Sequence, residues 1–431
     1  MEASTIALII IGAALILYIT EPIPIAITSI LACLALAIFG IIPLNAAFAG
    51  FGNDMVFLMA GMLVVGSTLF ETGVAQVLGE KIISTVGTSE KKFVIVLILV
   101  ATVPAAFLSN TAAMAMMLPI ASAAIAASNG KFLKKNTYMI IGIAAVTSGG
   151  LTTVGSTPQL IAQSALKAGG HETMAFFELS LAGGPVIILL LLYYLTIGHI
   201  LQKKVFTFPE VAEPQTDNLA EISPEMSQND NPSKNMLKRC ISAGVLIFCI
   251  IGFISGLWTV GIVAMVGASI CVVTGCISQK KVYQKMDWTT IIVIACSLGL
   301  SAGLEQSGAG MLVAESMVNL LGDGVSPWLL CAALALIAVV LGNFMSSTAT
   351  AALLVPIAIS VAMTLGFDVK SAVMAVVIAS NISYATPVST PPMTMTLSAG
   401  YRFMDYVKVG GLFTVLAYLL IIALFPFILS I

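Results

Sequence analysis

Apolar stretches of about the length that crosses a bilayer as a helix follow one another along the whole chain. The candidate spans are 5–20, 24–42, 54–72, 137–166 and 174–201 in the first half. In the second half they are 238–255, 257–277, 288–304, 371–399 and 408–430. Barrel strands are shorter and alternate in polarity, so these spans read as helices. Charge agrees: 9% of the residues are charged, against about 25% in a soluble domain. Lipid must cover what polar side chains cannot. The expected fold class is an all-α membrane protein. Met1 and Glu2 offer no basic n-region, so no cleavable signal is expected.

A longer segment lies between the third and fourth span of each half, 92–128 and 326–365. Each is read as a re-entrant hairpin, leaving the membrane on the side it entered. The halves, 1–204 and 236–431, are joined by 205–235, which is rich in Pro, Glu, Asp, Asn and Ser. That composition predicts a flexible, solvated linker. Lysine and arginine test the layout. One side collects Lys81, Lys91, Lys92, Lys131, Lys134, Lys135, Lys203, Lys204, Lys234, Lys238, Arg239, Lys280, Lys281, Lys285, Arg402 and Lys408; the other has Lys167 and Lys370. The positive-inside rule makes the rich side cytoplasmic. The first hairpin and the linker are then inside, the second hairpin and both termini outside, in a cell (inner) membrane. Five crossings per half turn the halves upside down to each other, the inverted-repeat plan of many secondary transporters.

The repeat is visible in the residues. Ser109-Asn110-Thr111-Ala112 runs on to Pro119-Ile120-Ala121, and Ser346-Ser347-Thr348-Ala349 to Pro356-Ile357-Ala358. Upstream, Thr72-Gly73 and Glu80 match Ser307-Gly308 and Glu315. Downstream, Gly155-Ser156-Thr157-Pro158 corresponds loosely to Ala385-Thr386-Pro387. Each half thus carries a hairpin tip followed by a span interrupted at Gly149-Gly150, Gly155 and Pro158, or at Pro387, Pro391 and Pro392.

Polar backbone at membrane depth persists only where it is buried in protein or lines a cavity. At a tip, the second helix begins with free N–H groups and the positive end of its dipole, which suits an anion. The first helix ends in free carbonyls, which with Ser and Asn oxygens suit a hard cation such as sodium. A single Ser-Asn-Thr is more often helix-packing glue; two copies in register, each before a broken span, favour a site. Glu21, Asp54, Glu71, Glu178 and Glu305 sit near span ends and not at mid-span. Proton-driven carriers keep titratable groups at depth, so metal-cation coupling, or none, is expected. The seven cysteines read as apolar packing residues, and His171 and His199 are too far apart to suggest a zinc site. A net charge of −2 speaks against a nucleic-acid partner.

At these motifs the sequence resembles the divalent anion/sodium symporter family, the sodium-coupled dicarboxylate, citrate and sulfate carriers. The resemblance covers nearly the whole chain. It implies that Ser109, Asn110, Gly155 and Ala105 surround a first sodium ion, and Ser346, Ser347, Gly342 and Ala385 a second. Ala105 and Gly342 offer only backbone carbonyls. It implies that Asn110, Thr111, Ser156, Ser347, Thr348, Thr386 and Pro387 surround the substrate carboxylates. It also implies a homodimer in which the hairpin-bearing domain moves like an elevator past a fixed scaffold. Ser347 stands where the family usually has Asn, and Thr157 and Gln159 where Pro and Asn are common. The expected function is sodium-coupled uptake of small divalent anions, C4-dicarboxylates first. A sulfate or other oxyanion symporter, a sodium-independent dicarboxylate exchanger and an oxyanion efflux permease stay open. A membrane enzyme would need a nucleophile–base pair or metal cluster at depth, and the sequence offers none.

Overall fold

The computed structural model describes residues 2–20, 22–74, 89–128, 131–208, 232–255, 257–309, 312, 316, 325–387 and 389–429. Every regular element among them is helical. The first half runs α1 (Ala3–Thr20), α2 (Ile25–Ile38), α3 (Leu44–Phe48), α4 (Asp54–Glu71), α5 (Glu90–Phe107), α6 (Asn110–Ala127), α7 (Lys134–Gly149), α8 (Thr157–Ala168), α9 (Ser180–Tyr193) and α10 (His199–Val205). The second runs α11 (Pro232–Ser255), α12 (Val260–Val273), α13 (Gln279–Lys285), α14 (Trp288–Ser307), α15 (Pro327–Phe344), α16 (Ser347–Leu365), α17 (Val369–Ser380), α18 (Pro391–Met395), α19 (Phe403–Asp405) and α20 (Gly411–Ile428). A π-helical turn, Tyr194–Gly198, joins α9 to α10, and another, Tyr406–Gly410, joins α19 to α20.

Proline sets several boundaries. Pro24 and Pro43 stand at the N-caps of α2 and α3, where a missing N–H costs nothing. After α4 the chain turns through Gly73 at φ +74°, and after α14 through Gly308 at φ +72°. Only glycine adopts that left-handed conformation readily, so this upstream repeat match extends to the backbone. Its other members, Glu80 and Glu315, lie outside the described residues.

Among the described residues, six helical stretches are long and apolar enough to cross a membrane: Leu44–Leu69, Ser180–Val205, Met236–Phe253, Pro327–Phe344, Ser347–Leu365 and Phe403–Ile428. Other expected spans are shorter helices, such as Ile25–Ile38 and Val260–Val273. The expected spans 137–166 and 371–399 are not continuous helices; each is broken in the middle. Both arms of the second hairpin are long enough to cross, and as a pair they return the chain to the side it left. The described ends of the expected linker are structured. Phe206 is buried against Tyr401, with ring centroids 4.9 Å apart, and Lys135 Nζ donates to the Phe208 carbonyl at 2.6 Å. At the other end, Pro232 already opens α11. Most of the remaining linker, 209–231, lies outside the described residues.

The halves exchange contacts reciprocally. α4 packs along α12, and its repeat mate α14 packs along α2, the mate of α12. These crossings are close because small residues sit at them. A Cβ placed on Gly61 would lie 2.6 Å from the backbone of Ala264, and one on Gly303 would lie 2.5 Å from Leu36. The hairpin helices behave alike: α6 packs on α18, and α16 packs on α8. Each second hairpin arm therefore rests on the helix that follows the other half's break.

Charged groups gather at two ends. Glu71 pairs with Lys281 and Lys285, each at 2.6 Å, Arg239 Nε donates to the Thr72 carbonyl at 2.9 Å, and Asn136 donates to Glu90 at 2.9 Å. Lys167 pairs with Asp54 at 3.4 Å, and Lys370 with Glu172 and Glu178 at 2.7 and 2.8 Å. These contacts join only residues that span counting assigns to the same side.

Candidate transport site

The two hairpin tips have the same backbone. Leu108 and Ser109 have φ/ψ of −112/169° and −63/144°; Met345 and Ser346 have −131/172° and −65/146°. In both, an extended residue ends the first helix and a serine caps the second. Ser109 Oγ accepts from the Ala112 N–H at 3.2 Å, and Ser346 Oγ from the Ala349 N–H at 3.1 Å. Serine suits this position because its side chain reaches the third N–H of the helix, worth about 1 kcal/mol over alanine. The N–H groups of Asn110 and Thr111, and of Ser347 and Thr348, have no intrahelical partner. Thr111 is exposed, whereas Asn110, Ser347 and Thr348 are half-buried.

The first break, Gly150–Ser156, folds against the first tip. Thr152 donates its hydroxyl to the Ala106 carbonyl in the last turn of α5. The Asn110 carboxamide lies between two backbone carbonyls, its near end 3.1 Å from the Gly155 oxygen and 3.2 Å from the Ala145 oxygen. The approach is tight. A Cβ on Gly149 would lie 2.0 Å from the end of that carboxamide, and one on Gly155 would lie 2.4 Å from the Gly149 carbonyl oxygen. Glycine is required at both positions so that tip and break can meet. Asn110 and Gly155 are thus brought together next to Ser109, while Ala105 lies buried in the last turn of α5.

The second break, 381–390, folds against the second tip through one residue. Asn343 accepts from the Ala385 N–H at 2.8 Å through its side-chain oxygen. Its backbone carbonyl accepts from the Thr386 hydroxyl at 2.6 Å, and its amide nitrogen donates to Val339 at 2.7 Å and Ile382 at 3.2 Å. Gly342, beside it, faces the end of α17: a Cβ there would lie 3.4 Å from the Ser380 carbonyl oxygen. Ala385 and Thr386 are thereby tied to Asn343, the neighbour of Gly342 in the arm that leads to Ser346 and Ser347. Pro387 is buried, and its carbonyl accepts from Thr394 at 2.7 Å.

The breaks also touch each other. Ser156 Oγ is 2.8 Å from Asn381 Oδ1, and Thr147 donates to the Tyr384 hydroxyl at 2.9 Å. No charged side chain takes part in these contacts. Hydroxyl, amide and carbonyl oxygens are the donor set of a hard cation rather than a thiophilic metal. With such an ion bound, the Asn110 carboxamide, the Gly155 carbonyl and Ser109 are the groups that would hold it at the first tip.

A family model described as citrate transporter matches residues 15–372. The chain belongs to the citrate transporter family. It is 30% identical to an uncharacterized transporter of Haemophilus influenzae, over 92% of this chain and 86% of that one. It is 25% identical to the sodium-dependent dicarboxylate transporter SdcS of Staphylococcus saprophyticus, over 89% of this chain and 78% of the relative. The sodium-dependent high-affinity dicarboxylate transporter 3 of Caenorhabditis elegans is 24% identical over 92% of this chain and 78% of its own length. In fold, the chain is similar to the YdaH transporter of Alcanivorax borkumensis, with a TM-score of 0.55 at 15% identity over 92% of this chain and 88% of that one. It is similarly close to the Neisseria gonorrhoeae efflux pump MtrF, with a TM-score of 0.54 at 14% identity over 99% and 94%. The protein is a multi-pass membrane transporter, not an enzyme.

Within this citrate transporter family member, the downstream repeat pairs differently from the sequence match. Thr152 and Thr386 make the same bond, each to the carbonyl two residues before its hairpin's extended residue. Ser156 and Thr390, at φ/ψ −148/161° and −148/147°, both precede a short helix with proline in its first turn. The partner of Ser156 is therefore Thr390, and the partner of Thr386 is Thr152. Proline spacing misled the match because α17 ends sooner than α7, which lengthens the second break. Sequence reasoning also passed over Asn343, Asn381 and Thr152, and took Gln159 only as a departure. Two asparagines inside otherwise apolar segments were the available signal.

Proposed function

We propose that this transporter carries small divalent anions, C4-dicarboxylates first, by symport with sodium. The observation that carries the reading is the Asn110 carboxamide seated between the Gly155 and Ala145 carbonyls at the mouth of a serine-capped helix. That arrangement gathers oxygens for a cation within reach of helix N–H groups for an anion. In this reading Ser109, Asn110, Gly155 and Ala105 serve a first sodium ion. Ser346, Ser347, Gly342 and Ala385 serve a second. Asn110, Thr111, Ser156, Ser347, Thr348, Thr386 and Pro387 face the carboxylates. The dicarboxylate relatives in the family, and the pairing of the described carboxylates Asp54, Glu71, Glu172 and Glu178 with lysines at the ends, support it.

The reciprocal contacts between the halves support an inverted repeat of 1–204 and 236–431 joined by a cytoplasmic linker. In the same reading both termini are outside in a cell (inner) membrane, and a homodimer works by an elevator motion. Cross-linking in native membranes tests the dimer.

The deciding experiment is uptake of labelled succinate and sulfate into proteoliposomes, with and without an inward sodium gradient. Sodium-driven succinate accumulation is the expected result. Sodium-driven sulfate uptake without succinate uptake would make the protein an oxyanion symporter. Trans-stimulation by internal succinate without sodium would make it an exchanger.

A further inference from the structure

Where the two breaks meet, three buried oxygens converge and share a single hydrogen. Ser156 Oγ lies 2.8 Å from Asn381 Oδ1 and is in short contact with Gln159 Oε1. The amide orientations are fixed by their nitrogens. Gln159 Nε2 donates to the Gly149 carbonyl at 3.1 Å, and Asn381 Nδ2 to the Val377 carbonyl at 2.9 Å. Both side-chain oxygens therefore face the serine hydroxyl. A hydroxyl carries one hydrogen, so it satisfies one oxygen and leaves the other without a donor. Water does not reach the group freely: Gln159 is 0%, Asn381 5% and Ser156 8% exposed. Beside it is a cavity of about 20 Å³, lined by Gln159, Asn381, Thr147 and Tyr384 among others. That is room for one water molecule.

We propose that Ser156 Oγ, Gln159 Oε1 and Asn381 Oδ1 hold a small monovalent cation of sodium size, with a water in the adjoining cavity completing its shell. The inference rests on the cation-coupled reading above, and it adds a site separate from both hairpin tips. Neutral oxygens in excess over hydrogens repel one another unless positive charge lies between them. A water contributes hydrogens from one side, whereas a cation attracts all three oxygens at once. Ser156 and Gln159 belong to the first half and Asn381 to the second. Occupancy therefore draws the two breaks together, so the cation shapes the pocket into which an anion must fit. Its charge also offsets that of an anion held at Ser156.

The test compares Gln159→Leu and Gln159→Glu in the purified full-length protein. Two sodium titrations are read: thermal stabilisation in detergent without anion, and succinate uptake into proteoliposomes. Leucine removes a ligand and should raise the sodium concentration for half-maximal effect about tenfold or more, as loss of a supporting partner does at metal sites. Glutamate keeps an oxygen and adds charge, so it should restore or lower the requirement. A purely structural hydrogen bond predicts the opposite, because glutamate cannot donate to the Gly149 carbonyl. Equal impairment of both variants, or wild-type titrations for both while sodium still drives uptake, overturns the third site alone. Succinate uptake and wild-type stability that ignore sodium altogether overturn the third site and sodium coupling together.

Discussion

Asn343 holds Thr386: the threonine hydroxyl donates to the asparagine's backbone carbonyl at 2.6 Å, while the asparagine side chain accepts from the neighbouring Ala385 N–H at 2.8 Å. One residue in the last turn of a hairpin arm thus fixes the shape of the break in the next span. Asn343→Leu keeps comparable bulk but strands the half-buried Ala385 N–H and leaves the Ile382 carbonyl one donor short. Each stranded group costs about 1–3 kcal/mol. The expected result is a lower melting temperature in detergent and a fall in uptake rate, although Asn343 is outside the proposed ligand set. Uptake and melting unchanged from wild type would show that the break does not depend on this bond.

At the first tip the corresponding constraint is steric. Gly149→Ala places a Cβ against the Asn110 carboxamide, at a separation of 2.0 Å before relaxation. Asn110 must then leave the Gly155 and Ala145 carbonyls. Gly149→Ala and Asn110→Ala should therefore share one phenotype: higher sodium requirement and higher KM for the anion, with both shifts in the same variant. Normal transport by Asn110→Ala would mean that the site lies elsewhere. A shift in only one of the two parameters would separate cation binding from anion binding.

What could be read from sequence, and what could not, follows from which forces are local. The membrane spans, the hairpin tips at Ser109 and Ser346 and the repeat match at Gly73 and Gly308 depend on nearby residues, so hydropathy and repeat spacing reveal them. The register of the breaks does not. Thr152 and Thr386 correspond only because each finds a carbonyl at the end of its hairpin arm, more than forty residues away in the chain. Asn343 and Asn381 gain their roles from partners brought together by tertiary packing. Phe206 and Phe208 sit in a segment whose composition announces a linker, yet aromatic burial against Tyr401 overrides that composition.

Ser347 is the point where the tips differ chemically. It begins α16 as Asn110 begins α6, but its hydroxyl is shorter than an amide. Ser347→Asn should fit, because the position is half-buried at a helix start and Asn110 occupies the same backbone at the first tip. The expected outcome is unchanged or tighter dependence of succinate uptake on sodium. It is measured as an equal or lower half-saturating sodium concentration. A higher one would show that the second tip has no room for a carboxamide between its break and its cap.

Glu71 provides a pH-dependent clamp between the halves. It lies beyond the apolar stretch Leu44–Leu69, and Lys281 and Lys285 both reach its carboxylate at 2.6 Å. The lysines are four apart on α13, so one helix face presents both. Partial burial pushes the Glu71 carboxyl upward, but the two lysines outweigh it and hold the group below its ordinary value of 4.5. A carboxylate with a depressed folded-state pKa stabilises the fold above its unfolded pKa. That contribution disappears as pH falls through the lowered value. At pH 7 the clamp is therefore intact, and Glu71→Gln should cost on the order of 1 kcal/mol, as for partly exposed ion pairs. The gap in melting temperature between wild type and Glu71→Gln should be constant from pH 7 down to about 5. Below that it should close, and concentrated salt should narrow it at any pH because the lysines are partly exposed. A gap that persists in full at pH 3 would mean that Glu71 acts by packing rather than by charge.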